Sequence, residues 1–246
     1  SMVYFDNQIC HVTFTHTDCA DVWQLYFPQM DRFFRSGMDH YVLLNNPDDR
    51  LPPNSNQLIY NDEKSYPERL HSCLAKLHQY EYIFFDHEDM FLYDYPIVDK
   101  LQEYYRLCKT KNFDHIRLIK GGKSVYEPVK NCTTLYQFSL KSKWIFSIQP
   151  SFWHRETLMK VLEKNLNVNI WELELKSQKI VKKMKIKAAF SYFAGQRRGA
   201  YHFDNIVYPY VATAIGKGKW NLGEYGVELE ALLKEHKIDP KVRGWF

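Results

Sequence analysis

Tyr82-Ile83-Phe84-Phe85-Asp86-His87-Glu88-Asp89-Met90-Phe91-Leu92-Tyr93-Asp94 is the stretch on which the reading of this chain turns. Its first four residues form an apolar run with the length and composition of a buried strand. Three acids and a histidine follow within four positions. Desolvating unpaired charge is costly, so a strand interior does not hold several bare carboxylates. The acids are therefore expected where the strand leaves the sheet. In open α/β sheets that edge, beyond the carboxyl ends of the strands, is where ligands bind. Hard oxygen ligands gathered there suit a divalent cation holding a phosphate. The bland reading of the same residues is a solvated acidic loop.

Upstream, residues 9–15 alternate and are β-rich, a first strand closed by His16-Thr17-Asp18. A helical pattern occupies residues 20–34. Residues 41–44 read as a second strand ending at Asn45, and residues 58–60 as a third ending in Asn61-Asp62. Ser65-Tyr66-Pro67-Glu68 has the S-x-x-E capping-box spacing, with proline in the first turn. Leu70, Cys73, Leu74 and Leu77 then share one helical face. After the fourth strand (residues 82–85), a proline-led helix starts at Pro96 and runs through Leu101, Tyr104, Tyr105 and Cys108. Strands alternating with helices are the sign of a mostly parallel, wound sheet.

The second half reads differently. Strand-like pieces fall at residues 114–118, 133–139, 145–148, 186–193 and 206–210, and Gln149-Pro150-Ser151-Phe152-Trp153 leads into the next helix. Helices are expected at residues 155–166, from near Trp171, and at residues 227–235. The expected class is α/β: one domain over residues 1–246, with a Rossmann-like, mostly parallel wound sheet in the first half and a mixed second half. The first half covers residues 9–110 and the second residues 111–246. Ser1-Met2 reads as a cloning remnant.

The chain has 246 residues, 45% of them hydrophobic, enough for a substantial core. A net charge of +4, without basic and aromatic residues repeated along a groove, gives no argument for nucleic acid. The five cysteines form no CxxC pair, so neither a disulfide framework nor a zinc site is expected. A reducing compartment, the cytoplasm, is the simpler reading. No apolar run approaches the roughly 20 residues that span a bilayer. Six lysines between Lys176 and Lys187 read as a solvated face, with attraction to an anionic membrane or glycan as the weaker reading.

Strand ends supply the other candidates. Thr15, His16 and Asp18 end the first strand; Asn45, and then Asn61 and Asp62, end the next two and face the same crevice. Arg69 lies one turn into the capped helix, within reach of a phosphate or sugar. Singly, each is as readily a turn former or packing residue. For metal, Asp89 and Glu88 come first and Asp86 next; His87 is a ligand, a donor to substrate, or merely packed. His202, with Asp204, offers a second place for metal or donor contact. Lys217 and Lys219 in Gly216-Lys217-Gly218-Lys219-Trp220 can hold a diphosphate as point charges, although this is no Walker motif. Trp171-Glu172-Leu173-Glu174 offers two carboxylates on different faces of a helix. Glu174 is the first choice for a general base and Glu172 the second; the alternative is that both cap a helix start. Trp153 and Trp171 form either a sugar-stacking wall or core.

Taken together, a strand-wound first half, Asp86-His87-Glu88-Asp89 after the fourth strand and a mixed second half resemble the GT-A fold glycosyltransferases. In that family an Asp-x-Asp-like motif holds a divalent metal on the donor's diphosphate; here Glu88 occupies a middle position and a histidine intrudes. Phe146-Ser147-Ile148-Gln149-Pro150-Ser151-Phe152-Trp153 and Asn169-Ile170-Trp171-Glu172-Leu173-Glu174 are similar to the acceptor-side portion of such enzymes. The similarity runs from Ile9 to Trp220, towards small transferases of bacterial surface polysaccharides and the capsid-glycan transferase domains of large DNA viruses. It implies a GT-A-like fold, Mn2+ or Mg2+ as cofactor, a nucleotide-sugar donor (most commonly uridine-linked in that family) and a glycan or glycoprotein acceptor. With a base present, the expected reaction is inverting hexosyl or pentosyl transfer in glycan biosynthesis. The alternatives are a nucleotidyl- or phosphotransferase, which uses the same metal-bridged phosphates, a glycoside hydrolase, and a catalytically inactive carbohydrate-binding module.

Overall fold

Residues 5–246 are described by the computed structural model; Ser1 and Met2 lie outside them. The first half contains β1 (Ile9–Phe14), α1 (Ala20–Phe33), β2 (Asp39–Leu44), β3 (Asn56–Ile59), α2 (Tyr66–Ala75), β4 (Tyr82–His87) and α3 (Val98–Lys111). There follow β5 (His115–Arg117), β6 (Lys120–Gly121), β7 (Tyr126–Val129), β8 (Cys132–Phe138), β9 (Ser151–His154), α4 (Arg155–Glu163), α5 (Ile170–Lys183) and β10 (Ala188–Ser191). The chain ends with β11 (Arg197–Arg198), β12 (His202–Phe203), β13 (Ile215–Gly216), β14 (Lys219–Trp220), α6 (Leu222–Glu235) and α7 (Pro240–Arg243).

Nine strands form one sheet in the order β3-β2-β1-β4-β9-β5-β10-β8-β7. The first four are parallel. β9 inserts antiparallel between β4 and β5, β10 runs parallel to β5, and β8 and β7 add an antiparallel edge. This is the α/β architecture expected from the sequence, parallel in the first half and mixed in the second.

β4 explains why. Ile83, Phe84 and Phe85 are all buried, because a parallel strand is covered on both faces and reads as a continuous apolar run. Phe84 packs with Val22, Leu25 and Tyr26 of α1 and Leu101 and Tyr104 of α3. Ile83 and Phe85 point the other way, against Leu70 and Leu74 of α2, Leu158 and Val161 of α4, and Leu173 of α5. The helices that carry candidate residues are thus pinned to either face of one strand.

Helix starts follow from their caps. Ser65 and Glu68 form the reciprocal capping box at α2, and Ser65 also donates to the Leu166 carbonyl. Asn169 and Glu172 form a second one at α5.

Some expectations change. Residues 145–148 are not a strand: Gln178 Oε1 accepts from the Ile145 and Phe146 amides at 2.9 and 3.0 Å, so these buried residues bond to a helix side chain. Within residues 206–210 there is only an isolated bridge from Tyr210 to Leu92. Residues 151–154, to which the sequence pattern assigns no element, are the interior strand β9. The parallel strands β2 and β3 are joined by residues 45–55 without a helix. All five cysteines are free. Among the described residues no helix is long and apolar enough to cross a membrane.

Candidate active site

β1 and β4 lie side by side, with β2 and β3 built out on one side and β9 on the other. The order reverses between them, and such a switch point opens a crevice at the carboxyl ends of the strands. Thr15 leaves β1 and Glu88 leaves β4 at this place. Thr15 Oγ1 donates to Glu88 Oε1 at 2.9 Å and accepts from Trp23 Nε1 at 2.8 Å. Glu88 Oε2 accepts from the Asp89 amide at 3.2 Å.

Glu88 is buried and Asp89 half-buried. Burial pushes the Glu88 carboxyl above its usual range; burial, followed by the charge of Glu88, does the same to Asp89. His87 Nε2 pairs with the Tyr66 hydroxyl at 2.8 Å, and burial lowers its pKa to about 3, which leaves a neutral imidazole. One ligand atom from each of His87, Glu88 and Asp89 lies within 4.8 Å of the others. Ions bound by oxygen at about 2.0–2.6 Å place opposite ligands roughly 4–5 Å apart, so this set fits a divalent cation. Two desolvated carboxylates side by side repel one another, and a cation removes that penalty.

Asp86 does something else. It is fully buried within β4, on the Phe84 face, because the strand runs two residues beyond its apolar stretch. Its Oδ1 accepts from Thr13 Oγ1 at 2.6 Å, and its Oδ2 accepts from Tyr26 at 2.7 Å and His11 Nε2 at 2.9 Å. His40 Nε2 donates to Thr13 at 2.7 Å and stacks on His11 at 4.0 Å. Expected among the metal and phosphate ligands, Asp86 is instead committed to this interior network.

A cleft of about 750 Å³ adjoins the cluster. Two aromatic rings line it, Phe14 and Tyr66, which meet edge-on at 4.8 Å; Phe14 also stacks on Tyr60 at 5.0 Å. Thr15, His16, Arg69, His87 and Glu88 line it together with residues 167–170. His16 Nε2 lies 3.0 Å from Asp62, which Arg69 also pairs at 3.3 Å. Arg69 further donates to the Lys64 and Asp62 carbonyls and lies over Tyr60 at 5.3 Å. Thr15, His16, Asp62 and Arg69 are thus brought together at one mouth. Asn45 is turned to local work, its side chain gripping the Thr17 amide and hydroxyl, each at 2.9 Å. Asn61 caps the Glu63 amide at 3.0 Å, and Asp18 projects into solvent.

Lys217 and Gly218 both have positive φ, 51° and 76°, and form the two-residue turn between β13 and β14. This hairpin is rooted beside Asp89, whose carbonyl accepts from the Ala214 amide at 3.1 Å. Lys217 and Lys219 themselves are exposed. His202 pairs with the Tyr225 hydroxyl at 2.6 Å and stands outside the ligand group of residues 87–89.

On the acceptor side, the two carboxylates of α5 separate. Glu172 closes the capping box and pairs with Lys176 at 3.8 Å. Glu174 Oε2 accepts from the Ile148 amide at 3.4 Å, and burial raises its pKa. Burial, and after it the charges of Glu174 and Glu88, raise the Tyr66 phenol. Trp153 and Trp171 form no common wall: Trp153 is core, stacked on His115 at 3.8 Å, whereas Trp171 is 74% exposed.

Sequence reasoning missed Tyr66 and Arg243. Tyr66 was hidden in a capping motif. Arg243 pairs with Asp21 at 2.5 Å, donates to the Asp18 and Gly218 carbonyls and feels the charge of Glu88, yet it sits in a four-residue helix near the chain end.

No protein-family profile and no curated protein matches the sequence. Solved structures similar to the chain include the bifunctional IspDF from Campylobacter jejuni, with TM-score 0.42 and 14% identity over 78% of this chain. The chain spans about half of that protein, 51%. A protein described as a nucleotide-diphospho-sugar transferase from Desulfovibrio desulfuricans G20 has TM-score 0.46 and 10% identity, over 75% of this chain and 80% of that one. CMP:2-keto-3-deoxy-manno-octonic acid synthetase in complex with CTP has TM-score 0.46 and 8% identity, over 74% and 88%. Likeness this distant says nothing about activity, which rests on the site.

Proposed function

We propose that the chain is a glycosyltransferase that moves a sugar from a nucleotide-diphosphate sugar to a hydroxyl of a glycan or glycoprotein. The carrying observation is the meeting of Thr15 and Glu88 at the switch point, which sets the ligand group His87, Glu88 and Asp89 beside an aromatic-lined cleft. These three residues would hold Mn2+ or Mg2+, which supplies neutralisation of the charge that collects on a departing diphosphate. Phe14 and Tyr66 offer a ring face for the base or sugar, and the Thr15, His16 and Arg69 lining suits ribose and phosphate. Glu174 takes the proton of the attacking hydroxyl; its raised pKa brings it nearer the range of an effective base. Attack opposite the leaving group inverts the anomeric centre.

Nucleotidyl transfer would use the same metal-bridged phosphates, and the half-buried base on the acceptor side favours glycosyl transfer over it. The test is a thermal-shift screen of nucleoside diphosphates and nucleotide sugars with and without Mn2+ or Mg2+, followed by product analysis. A bound ligand raises the melting temperature by mass action. The reading requires a metal-dependent shift and release of nucleoside diphosphate. Release of pyrophosphate would assign nucleotidyl transfer, and no shift with any nucleotide would remove the donor site altogether.

A further inference from the structure

The outer face of α5 carries two large apolar side chains one turn apart, Trp171 and Leu175, 74% and 59% exposed. The helix does not need them for packing, since its core face consists of Leu173, Ser177 and Val181. The connection between β8 and β9, residues 139–150, is stitched to the same helix by Gln178, which also donates to the Phe146 carbonyl at 2.7 Å. That connection presents Leu140 and Trp144, both exposed. Lys179 on α5 and Lys141 and Lys143 beside Leu140 and Trp144 in sequence are exposed as well, and so is Lys176, which pairs with Glu172. Glu172, the acid nearest Trp171 in sequence, is tied up by the helix cap and Lys176.

We propose that this face docks on an anionic lipid bilayer. Indole rings settle at the headgroup level with their apolar body inward, leucines enter the acyl boundary, and lysine heads reach lipid phosphates along their apolar stems. Each lysine near an anionic leaflet adds attraction that salt screens. A second copy of the chain fits less well, because an isologous contact sets this lysine-rich face against itself. The placement has a consequence for the cleft. Asn169 and Ile170, which open α5, line the cleft mouth, so docking along α5 holds that mouth at the bilayer surface. The acceptor is then an amphiphile carrying its sugar on a lipid; this corollary rests on the glycosyltransferase reading, whereas docking itself does not.

The test is sedimentation of the full chain, without nucleotide, with vesicles of phosphatidylcholine alone or mixed with phosphatidylglycerol. Binding to the anionic vesicles is expected, weakening as sodium chloride rises. The Trp171→Ala/Leu175→Ala variant should partition about tenfold less or worse, since each side chain gives up the burial of its apolar surface. Lys176→Glu/Lys179→Glu should lose the salt-sensitive part. An unchanged melting temperature in both variants shows that the fold is intact. The proposal is overturned by failure to bind either vesicle, by binding that is equal on both lipids, by apolar variants that sediment like the parent, or by self-association that these variants abolish without any vesicle binding. Absence of a nucleotide-dependent thermal shift would instead sink the donor site and leave the vesicle result standing.

Discussion

Thr15 Oγ1 donates to Glu88 Oε1 at 2.9 Å, joining the ends of two adjacent parallel strands. The same oxygen accepts from Trp23, so one hydroxyl orients a carboxylate and satisfies a buried indole. Thr15→Val removes both bonds while keeping the shape. Orphaning a buried polar group costs about 1–3 kcal/mol, which calorimetry reads as a lower melting temperature. The metal-dependent nucleotide shift should weaken as well, because a ligand loses the partner that orients it. Thr15→Ser should behave as the parent. A full shift in the valine variant would detach Glu88 from the metal.

Asp89→Asn should trade function against stability. Burial and the neighbouring Glu88 both work against a charge at this position. Without metal, the variant should melt at the same or a higher temperature than the parent. With metal, the nucleotide shift should vanish and kcat/KM should fall by about 100-fold or more, as for loss of a group aimed at transition-state charge. A metal-dependent shift that persists in Asp89→Asn would move the cation site elsewhere.

Asp86 is expected to behave in the opposite way. Three side chains from β1 and α1 donate to it in the interior. Asp86→Ala leaves His11, Thr13 and Tyr26 short of an acceptor, at about 1–3 kcal/mol for each orphaned group. Denaturant titration should show a loss of stability larger than for any variant of Glu88 or Asp89. Near-parental stability combined with a lost metal response would return Asp86 to the ligand set.

The contrast between neighbouring acids shows where the sequence is legible. Ile83 to Phe85 announce a doubly covered strand, and helices flanking it put ligand chemistry at its end. Hydropathy does not tell a solvated acid from one held by donors, and the donors to Asp86 lie 60 to 75 positions away. β9 escaped for a similar reason: its four residues are stabilised by pairing with β4 and β5, which no local pattern records. Glu172 and Glu174 were separable by helical phase, yet which one capped α5 depended on Asn169 adopting the N-cap conformation. Arg243 reaches Asp21 across 222 positions.

Glu174→Gln isolates the proposed base. It keeps the shape and the contact to the Ile148 amide region but does not take a proton. Loss of a general base lowers kcat by about 10²–10⁴-fold, while the nucleotide thermal shift should stay at the parental value. Glu172→Ala removes only the N3 half of the capping box, so it should cost less than the roughly 0.5–2 kcal/mol of losing the N-cap residue itself, and leave turnover unchanged. If the two variants exchange these effects, Glu172 is the base.

His115 gives the fold an acid-sensitive point remote from the cleft. Its ring is fully buried, stacks on Trp153 at 3.8 Å and donates from Nδ1 to the Phe152 carbonyl at 3.1 Å. Nε2 is sealed without a partner. Burial, with the charge of Arg117 as the second cause, lowers the pKa to about 3. In the unfolded chain the ring titrates at about 6.5. As pH falls from about 6.5 towards 3 the unfolded state therefore holds the extra proton, and stability falls by up to about 1.4 kcal/mol per pH unit. Above that window this group contributes no slope. His115→Phe retains a stacking ring and removes the titration. Urea unfolding across the acid limb should show a shallower loss of stability in the variant and parallel curves near neutrality. Curves that stay parallel throughout would mean that the imidazole is protonated in the folded protein, and that Nε2 finds an acceptor.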